Sequence, residues 1–379
     1  MYRPYHIITI CILNIHSAVD FSACFIGKLS KYSTYAKHID KCCLKREESL
    51  PVTETIISGV QPSGKLHLGN YFGCIYPCLK AQENRKKINF MIANLHSITS
   101  AKNLLEIAQN SDVLSISKQA LAISLACGLN PSEGTRFFYQ SQIANILKLN
   151  WIIACLVSAN KIQGLLRLRN AKFISLGLVC YPVLMSSDIL SIRATKVIAN
   201  KDQTPHVELA RFIAKKLNSF LGKEFFPLTE IDTSESSSIM SLSKPTEKMS
   251  KCETDEHSRI DLLDPPEVVF SKIRDSVTDS VRGLSIEPEK RPGVTNLIRI
   301  YSKCSGIAQD TAIRDFSDAG FIEFKRSVAE VVIEFLRPIQ QRYNEIIKDS
   351  QYLDKVANDG VEHINSISDE VIKVFDWLF

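Results

Sequence analysis

No apolar run in this sequence of 379 residues reaches the roughly 18 residues that a membrane-spanning helix requires; His6 to Ile15 comes nearest and is too short. The eleven cysteines are scattered, with no CxxC pair and no Cys/His cluster at finger spacing, so neither a disulfide framework nor a zinc site is expected. Cys42 and Cys43 are adjacent and Cys74 and Cys78 are four apart, which is no metal-ligand pattern, and such usage fits a reducing compartment. A phosphate-cradling GxxxxGK[ST] loop is also missing, so any nucleotide must be held by other means. Neither an internal repeat nor a long low-complexity tract interrupts the chain. Charge of one sign is scarce too: the net charge is +5, and residues 1–50 alone carry seven Lys and Arg against four Asp and Glu. The remainder is nearly balanced, so a nucleic acid would have to meet a local basic face.

What is present suffices for two domains and an extension, with 45% hydrophobic residues to fill a core. Residues 1–52 read as an N-terminal extension. From Ser17 to Arg46 it is rich in Lys, Ser and Tyr and poor in acid, which fits an organelle transit peptide; a leader without a targeting role is the alternative. Beyond Pro51, strands are expected at Thr55 to Val60, Asn89 to Ala93, Arg136 to Gln140 and Lys196 to Ala199. Helices are expected at Leu104 to Cys127, 145 to 160, 181 to 193 and Gln203 to Leu221. This alternation argues for an α/β fold, a doubly wound parallel sheet with helices on both faces. After Asp264-Pro265-Pro266 the pattern is helical: Glu267 to Ser276, Val294 to Lys303, Ser305 to Phe316 and Phe321 to Lys348, with Pro338 as a kink or restart.

Two short segments carry chemistry. Gln61-Pro62-Ser63-Gly64-Lys65-Leu66-His67-Leu68-Gly69-Asn70 follows the first strand, and ligands of open parallel sheets gather at the carboxyl ends of strands. Pro62 and Gly64 shape a turn. Gly69 opens the next helix where a side chain would obstruct a purine or ribose, and His67 and Asn70 offer neutral donors near phosphates and sugar. Alone, the segment also reads as a plain strand-turn-helix connection. Far downstream, Lys248-Met249-Ser250-Lys251-Cys252 lies in a Ser-rich stretch, Ser234 to Asp255, and residues 243–257 are expected to be a mobile loop. Two ammonium groups there can neutralise charge building on a bridging oxygen and on pyrophosphate as an α-phosphate is attacked. In this order, the pair resembles the HIGH and KMSKS signatures with which class I aminoacyl-tRNA synthetases hold ATP.

Further segments are similar to bacterial and organellar tryptophanyl-tRNA synthetases: Ile57 to Gly64, Leu95-His96-Ser97-Ile98-Thr99, Tyr181-Pro182-Val183-Leu184-Met185-Ser186-Ser187-Asp188-Ile189-Leu190 and Arg337-Pro338-Ile339-Gln340. The similarity spans residues 53 to 375. The third segment has its own physical reading: Pro182 suits the first turn of a helix, and Tyr181, Met185 and Asp188 then share one face. An aromatic wall, a thioether and one carboxylate suit a flat apolar ring with a single N–H, as in indole. A solvated Asp188 beside a packed Tyr and Met is the alternative reading of the residues.

The resemblance implies a Rossmann-like catalytic domain (53–242) and an all-helical anticodon-binding domain (258–340). It also implies a final helix, 341–379, that returns toward the first domain. It implies that Asp188 receives the indole N–H, with Gln203 and His96 near the amino acid's ammonium and carboxylate. Gln61, Pro62 and Ser63 are expected to touch ATP, Gly69 and Asn70 its adenosine, Asn200-Lys201-Asp202 the ribose, Ile239 the adenine, and Lys248 to Cys252 the phosphates. Magnesium is expected to ride on the ATP phosphates, with no protein metal site. Partners implied are L-tryptophan, ATP, tRNA(Trp) and a second copy of the chain, in mitochondria or, as second choice, the cytoplasm. Lys272, Arg274, Arg282, Lys290, Arg291 and Arg299 are candidate RNA contacts.

The sequence departs from the family pattern at three places. Cys252 stands where KMSKS ends in serine, and Asn200 replaces a glycine, calling for the left-handed conformation that Asn tolerates. Gly164 to Leu176 is shortened relative to the family's lysine-bearing flap, with Lys172 as the replacement cation. A tyrosine-specific relative and a catalytically weakened, synthetase-derived binding protein are the competing readings.

Overall fold

The computed structural model describes residues 54–99, 113–165, 174–233, 238–251, 253, 255–317 and 319–378. Five parallel strands form one sheet: β1 (Ile56–Val60), β2 (Ile88–Ile92), β3 (Thr135–Tyr139), β4 (Lys196–Ile198) and β5 (Glu230–Asp232), in the order β3-β2-β1-β4-β5. The first four match the expected strands to within a residue or two. β5 was not expected, because three residues with exposed or half-buried side chains give no apolar pattern. β1, β2 and β3 are buried on both faces apart from the half-buried Gly59 and Arg136, as strands covered by helices on both sides must be.

The first helical layer starts with α1 (Leu68–Asn70), continues through a π-helical turn at Tyr71–Ile75 and ends as α2 (Tyr76–Glu83). Pro77 lacks the N–H that an unbroken α-helix would need, and a π turn just before it changes the bonding register. Next come α3 (Asn94–Thr99), α4 (Val113–Ala126), α5 (Ala144–Leu156), α6 (Ala159–Gln163), α7 (Leu176–Ser191) and α8 (Thr204–Leu221). The helix expected over 145 to 160 is divided at Val157-Ser158 into α5 and α6. The part of the Leu104 to Cys127 expectation before Val113 lies outside the described residues, as do Lys172 and Cys252.

Downstream helices are α9 (Pro266–Arg274), α10 (Pro292–Ser305), α11 (Gln309–Asp315), α12 (Phe321–Ile346) and α13 (Ser350–Lys373). α12 runs through Pro338 without a break, so Pro338 is neither a restart nor a helix end. Its Phe335 ring packs on Tyr71 and Phe72 at centroid distances of 5.1 and 5.7 Å, fixing the helical part to the π turn beside the sheet. The returning helix begins at Ser350 and not at Gln341, because the chain turns at Ile347 and the Asp349 carboxylate caps the new helix by accepting from Tyr352 N–H. α13 lies against β3 so closely that a Cβ on Gly360 would fall 1.9 Å from the Phe137 carbonyl oxygen; only glycine fits there.

Candidate active site

The strand order reverses direction between β3 and β4, with β1 at the centre, and a cavity of about 460 Å³ opens at the carboxyl ends of β1 and β4. One wall is α7. Ser175 caps this helix by accepting from Leu178 N–H at 3.0 Å, and Leu178, Tyr181, Met185 and Asp188 follow at helical spacing along the face that lines the cavity. Pro182 is therefore inside α7 and not in its first turn, since the cap lies seven residues upstream.

Asp188 is 2% exposed, yet it belongs to the cavity wall. Its Oδ1 accepts from Gln140 Nε2 at 2.8 Å, and its Oδ2 lies 2.9 Å from His96 Nε2. Burial pushes this carboxyl up, against the hydrogen bonds and charge of His96 and the bond from Gln140. A carboxylate has about four lone-pair sites, so two protein partners leave acceptor capacity for a donor in the cavity. Tyr181 OH meets His206 Nε2 at 2.9 Å, and burial raises the phenol and lowers the imidazole.

His96 joins this end of the cavity to the first signature, because its carbonyl accepts from Gln61 Nε2 at 2.8 Å. Gln61, Asn200 and Gln203 line the cavity. Asn200, however, has an extended backbone (φ −65°, ψ 151°), not a left-handed one; its side-chain amide fits because it lies over Gly73, which has no Cβ to meet it. Lys201 is exposed, and Asp202 faces the second signature.

That signature folds over the site. Met249 N–H donates to Ile239 O at 3.0 Å and Ser241 N–H to Glu247 O at 2.9 Å, making a short hairpin that the Asn296 amide grips through both polar groups of Met240. Lys248 Nζ sits 2.7 Å from Asp202 Oδ1, and Lys251 Nζ donates to Gln61 O at 3.0 Å. Burial raises the Asp202 carboxyl, but the hydrogen bond and charge of Lys248 outweigh it and hold the group below the usual range. Both lysines thus stand beside the segments that follow β1 and β4, and Ser63 is exposed next to them.

Several expectations need correction. The His67 ring is 3% exposed, and burial, with Lys251 and Arg259 nearby, pushes it down to about 3, so it is a neutral core group and not a donor at the cavity. Gly69 leaves room for that ring, since a Cβ there would lie 2.9 Å from two of its atoms. Asn70 Oδ1 accepts from His67 N–H at 3.2 Å, so this side chain braces the start of α1. The side chains of Pro62, Ile239 and Met249 are buried, the last two in the main core, because the hairpin presents its apolar side inward. Lys272 is not an RNA contact, being buried against Asp264 at 2.6 Å, and Arg291 is likewise buried, paired with Asp279 at 2.8 Å. Arg274, Arg282 and Lys290 are exposed, and Arg299 is half-buried.

Gln140, Leu178 and His206 were not singled out by sequence. Leu178 was findable from Ser175 as a helix cap. Gln140 and His206 carry no local pattern; their partners lie 48 and 25 residues away in sequence.

Comparison with known proteins agrees with this geometry. The family described as tRNA synthetases class I (W and Y) matches residues 53–337. A tryptophan–tRNA ligase of Thermosynechococcus vestitus is 33% identical over 327 residues, covering 84% of this chain and 97% of that protein. The Nostoc enzyme of the same name is 35% identical, with 84% and 95% covered. Among solved structures, tryptophanyl-tRNA synthetase from Mycoplasma pneumoniae superposes with a TM-score of 0.74 at 26% identity, covering 85% of this chain and 96% of that one. The Campylobacter jejuni enzyme complexed with ADP and tryptophan gives 0.69 at 29%, with 86% and 99% covered. Sheet order, cavity position, both signatures and these matches agree: the chain belongs to the class I tRNA synthetases of the W and Y family, and is a bacterial-type member of it.

Proposed function

We propose that this chain is a tryptophan–tRNA ligase that activates L-tryptophan with ATP and transfers it to tRNA(Trp). The observation that carries the choice of amino acid is the cavity wall of Tyr181, Met185 and Asp188, in which a buried carboxylate keeps acceptor capacity beside an aromatic ring and a thioether. An indole N–H satisfies that carboxylate, whereas a ring without a donor leaves it unpaired. The tryptophan carboxylate attacks the α-phosphorus of ATP in line, a P–O bond forms to it, and the bond to pyrophosphate breaks. Lys248 and Lys251 stabilise charge on the leaving group, and magnesium arrives with the nucleotide. Gln61, Asn200, Lys201, Asp202 and Gln203 surround nucleotide and amino acid, and positioning supplies most of the rate. A terminal hydroxyl of the tRNA then takes the acyl group and AMP leaves.

The helical part from residue 258 is the anticodon-reading domain in this proposal, with Arg274, Arg282 and Lys290 as exposed cations. The enzyme acts as a homodimer; Leu147 and Trp151, 50% and 70% exposed one turn apart on α5, are apolar surface of the kind subunits bury. It serves mitochondrial translation, as the composition of residues 17–46 suggests. Pyrophosphate exchange with each amino acid in turn tests the central reading: tryptophan alone should support it, and exchange with tyrosine alone would overturn it.

A further inference from the structure

Beyond the residues that would touch tryptophan, we propose that Gln140 is a positioning residue that sets amino-acid specificity by orienting the Asp188 carboxylate; this rests on the functional reading above. Gln140 directly follows β3, fully buried, and both polar atoms of its side chain are directed at two elements of the cavity wall. Its Nε2 donates to Asp188 Oδ1 at 2.8 Å. Its Oε1 accepts from the backbone N–H groups of Leu95 at 3.0 Å and His96 at 3.3 Å, the first turn of α3. The amide therefore cannot flip: reversing it would point NH₂ at two N–H donors and oxygen at a carboxylate.

The consequence is geometric. With Oδ1 held by Gln140 and Oδ2 by His96, the carboxylate plane is fixed at both ends, and the remaining lone pairs have one direction relative to Tyr181 and Met185. His96 is itself set by Gln140 through its backbone N–H and by Gln61 through its carbonyl. Gln140 is thus one partner of Asp188 and positions the other, without being a member of the cavity wall. Binding energy from the ring N–H depends on that orientation, so Gln140 acts on discrimination more than on ATP. The titratable groups facing Asp188 from the surrounding elements are His96 on α3, Tyr181 on α7 and, behind it, His206 on α8.

The test is the ratio of kcat/KM for tryptophan to that for benzothienylalanine, in which sulfur replaces the N–H, measured by pyrophosphate exchange with the full-length chain. Gln140→Leu should lower the ratio by about ten-fold or more while KM for ATP stays within about two-fold. Gln140→Glu keeps an oxygen for Leu95 and His96 but sets a second carboxyl against Asp188, and serves also where the leucine variant does not fold. At pH 8 its KM for tryptophan should rise about ten-fold and recover toward wild type at pH 6, where the carboxyl pair holds a proton and can donate. Wild-type exchange with tryptophan together with an unchanged ratio and no pH-dependent recovery would overturn the role of Gln140 alone. Absence of tryptophan-dependent exchange in the wild type would overturn the functional reading and this one with it.

Discussion

Lys251 donates from Nζ to the carbonyl oxygen of Gln61 at 3.0 Å, joining two signature segments that lie 190 residues apart in the chain. Lys248 makes the matching contact on the other side, to Asp202 beyond β4. The second signature therefore bridges the two strand ends between which the cavity opens.

Lys248 and Asp202 are about half exposed, so their ion pair adds at most about 1 kcal/mol to stability. Lys248→Ala should leave thermal unfolding within about 2 °C of wild type. Exchange should nevertheless fall by about 10²-fold or more, as expected when a cation aimed at developing charge is removed. Unfolding curves and exchange rates measured on the same preparation check this separation.

The Lys272–Asp264 pair behaves in the opposite way. Both groups are buried at 2.6 Å, and Asp264 also holds the turn where Gln340 donates to its carbonyl. Lys272→Ala leaves a buried carboxylate without its cation and should cost about 3–5 kcal/mol. Lys290→Ala, at an exposed site, should cost under about 0.5 kcal/mol. Urea denaturation of the two variants measures the difference.

Gly360→Ala brings a methyl group to within 1.9 Å of the Phe137 carbonyl oxygen, a backbone atom that cannot step aside. The expected loss is about 1–3 kcal/mol, with α13 displaced from β3. Hydrogen exchange in β3 should rise with the drop in melting temperature.

His67 gives a sign to the pH dependence of stability. Its folded value of about 3 lies below the ordinary 6.5, so between those values the unfolded chain binds the extra proton. Stability from this group is complete above pH 6.5 and is lost as pH falls toward 3, at about 1.4 kcal/mol per unit at most. His67→Asn should flatten the slope of unfolding free energy between pH 6 and pH 4, which denaturant titrations at several pH values record.

Much of the site was legible because it is local. Tyr181, Met185 and Asp188 are four and three residues apart on one helix, and β1 to β3 are short, mostly apolar segments separated by helical stretches, which suits a doubly covered sheet. What was misread is non-local. Histidine in a signature reads as a donor, but the Leu68 to Ile260 and Leu262 to Leu66 backbone bonds bury it. Lysines in a helical stretch read as surface until Asp264 is found beneath Lys272, and Gln140 is an ordinary polar residue after a strand until α3 and α7 converge on it.

The most direct measurement is ATP–pyrophosphate exchange by the full-length chain with tryptophan and with tyrosine, for wild type and Asp188→Ala. Expected is exchange with tryptophan only in the wild type, and a loss of about 10²-fold or more in the variant. Tyrosine-dependent exchange in the wild type, or undiminished tryptophan exchange in Asp188→Ala, would contradict the assignment of this cavity.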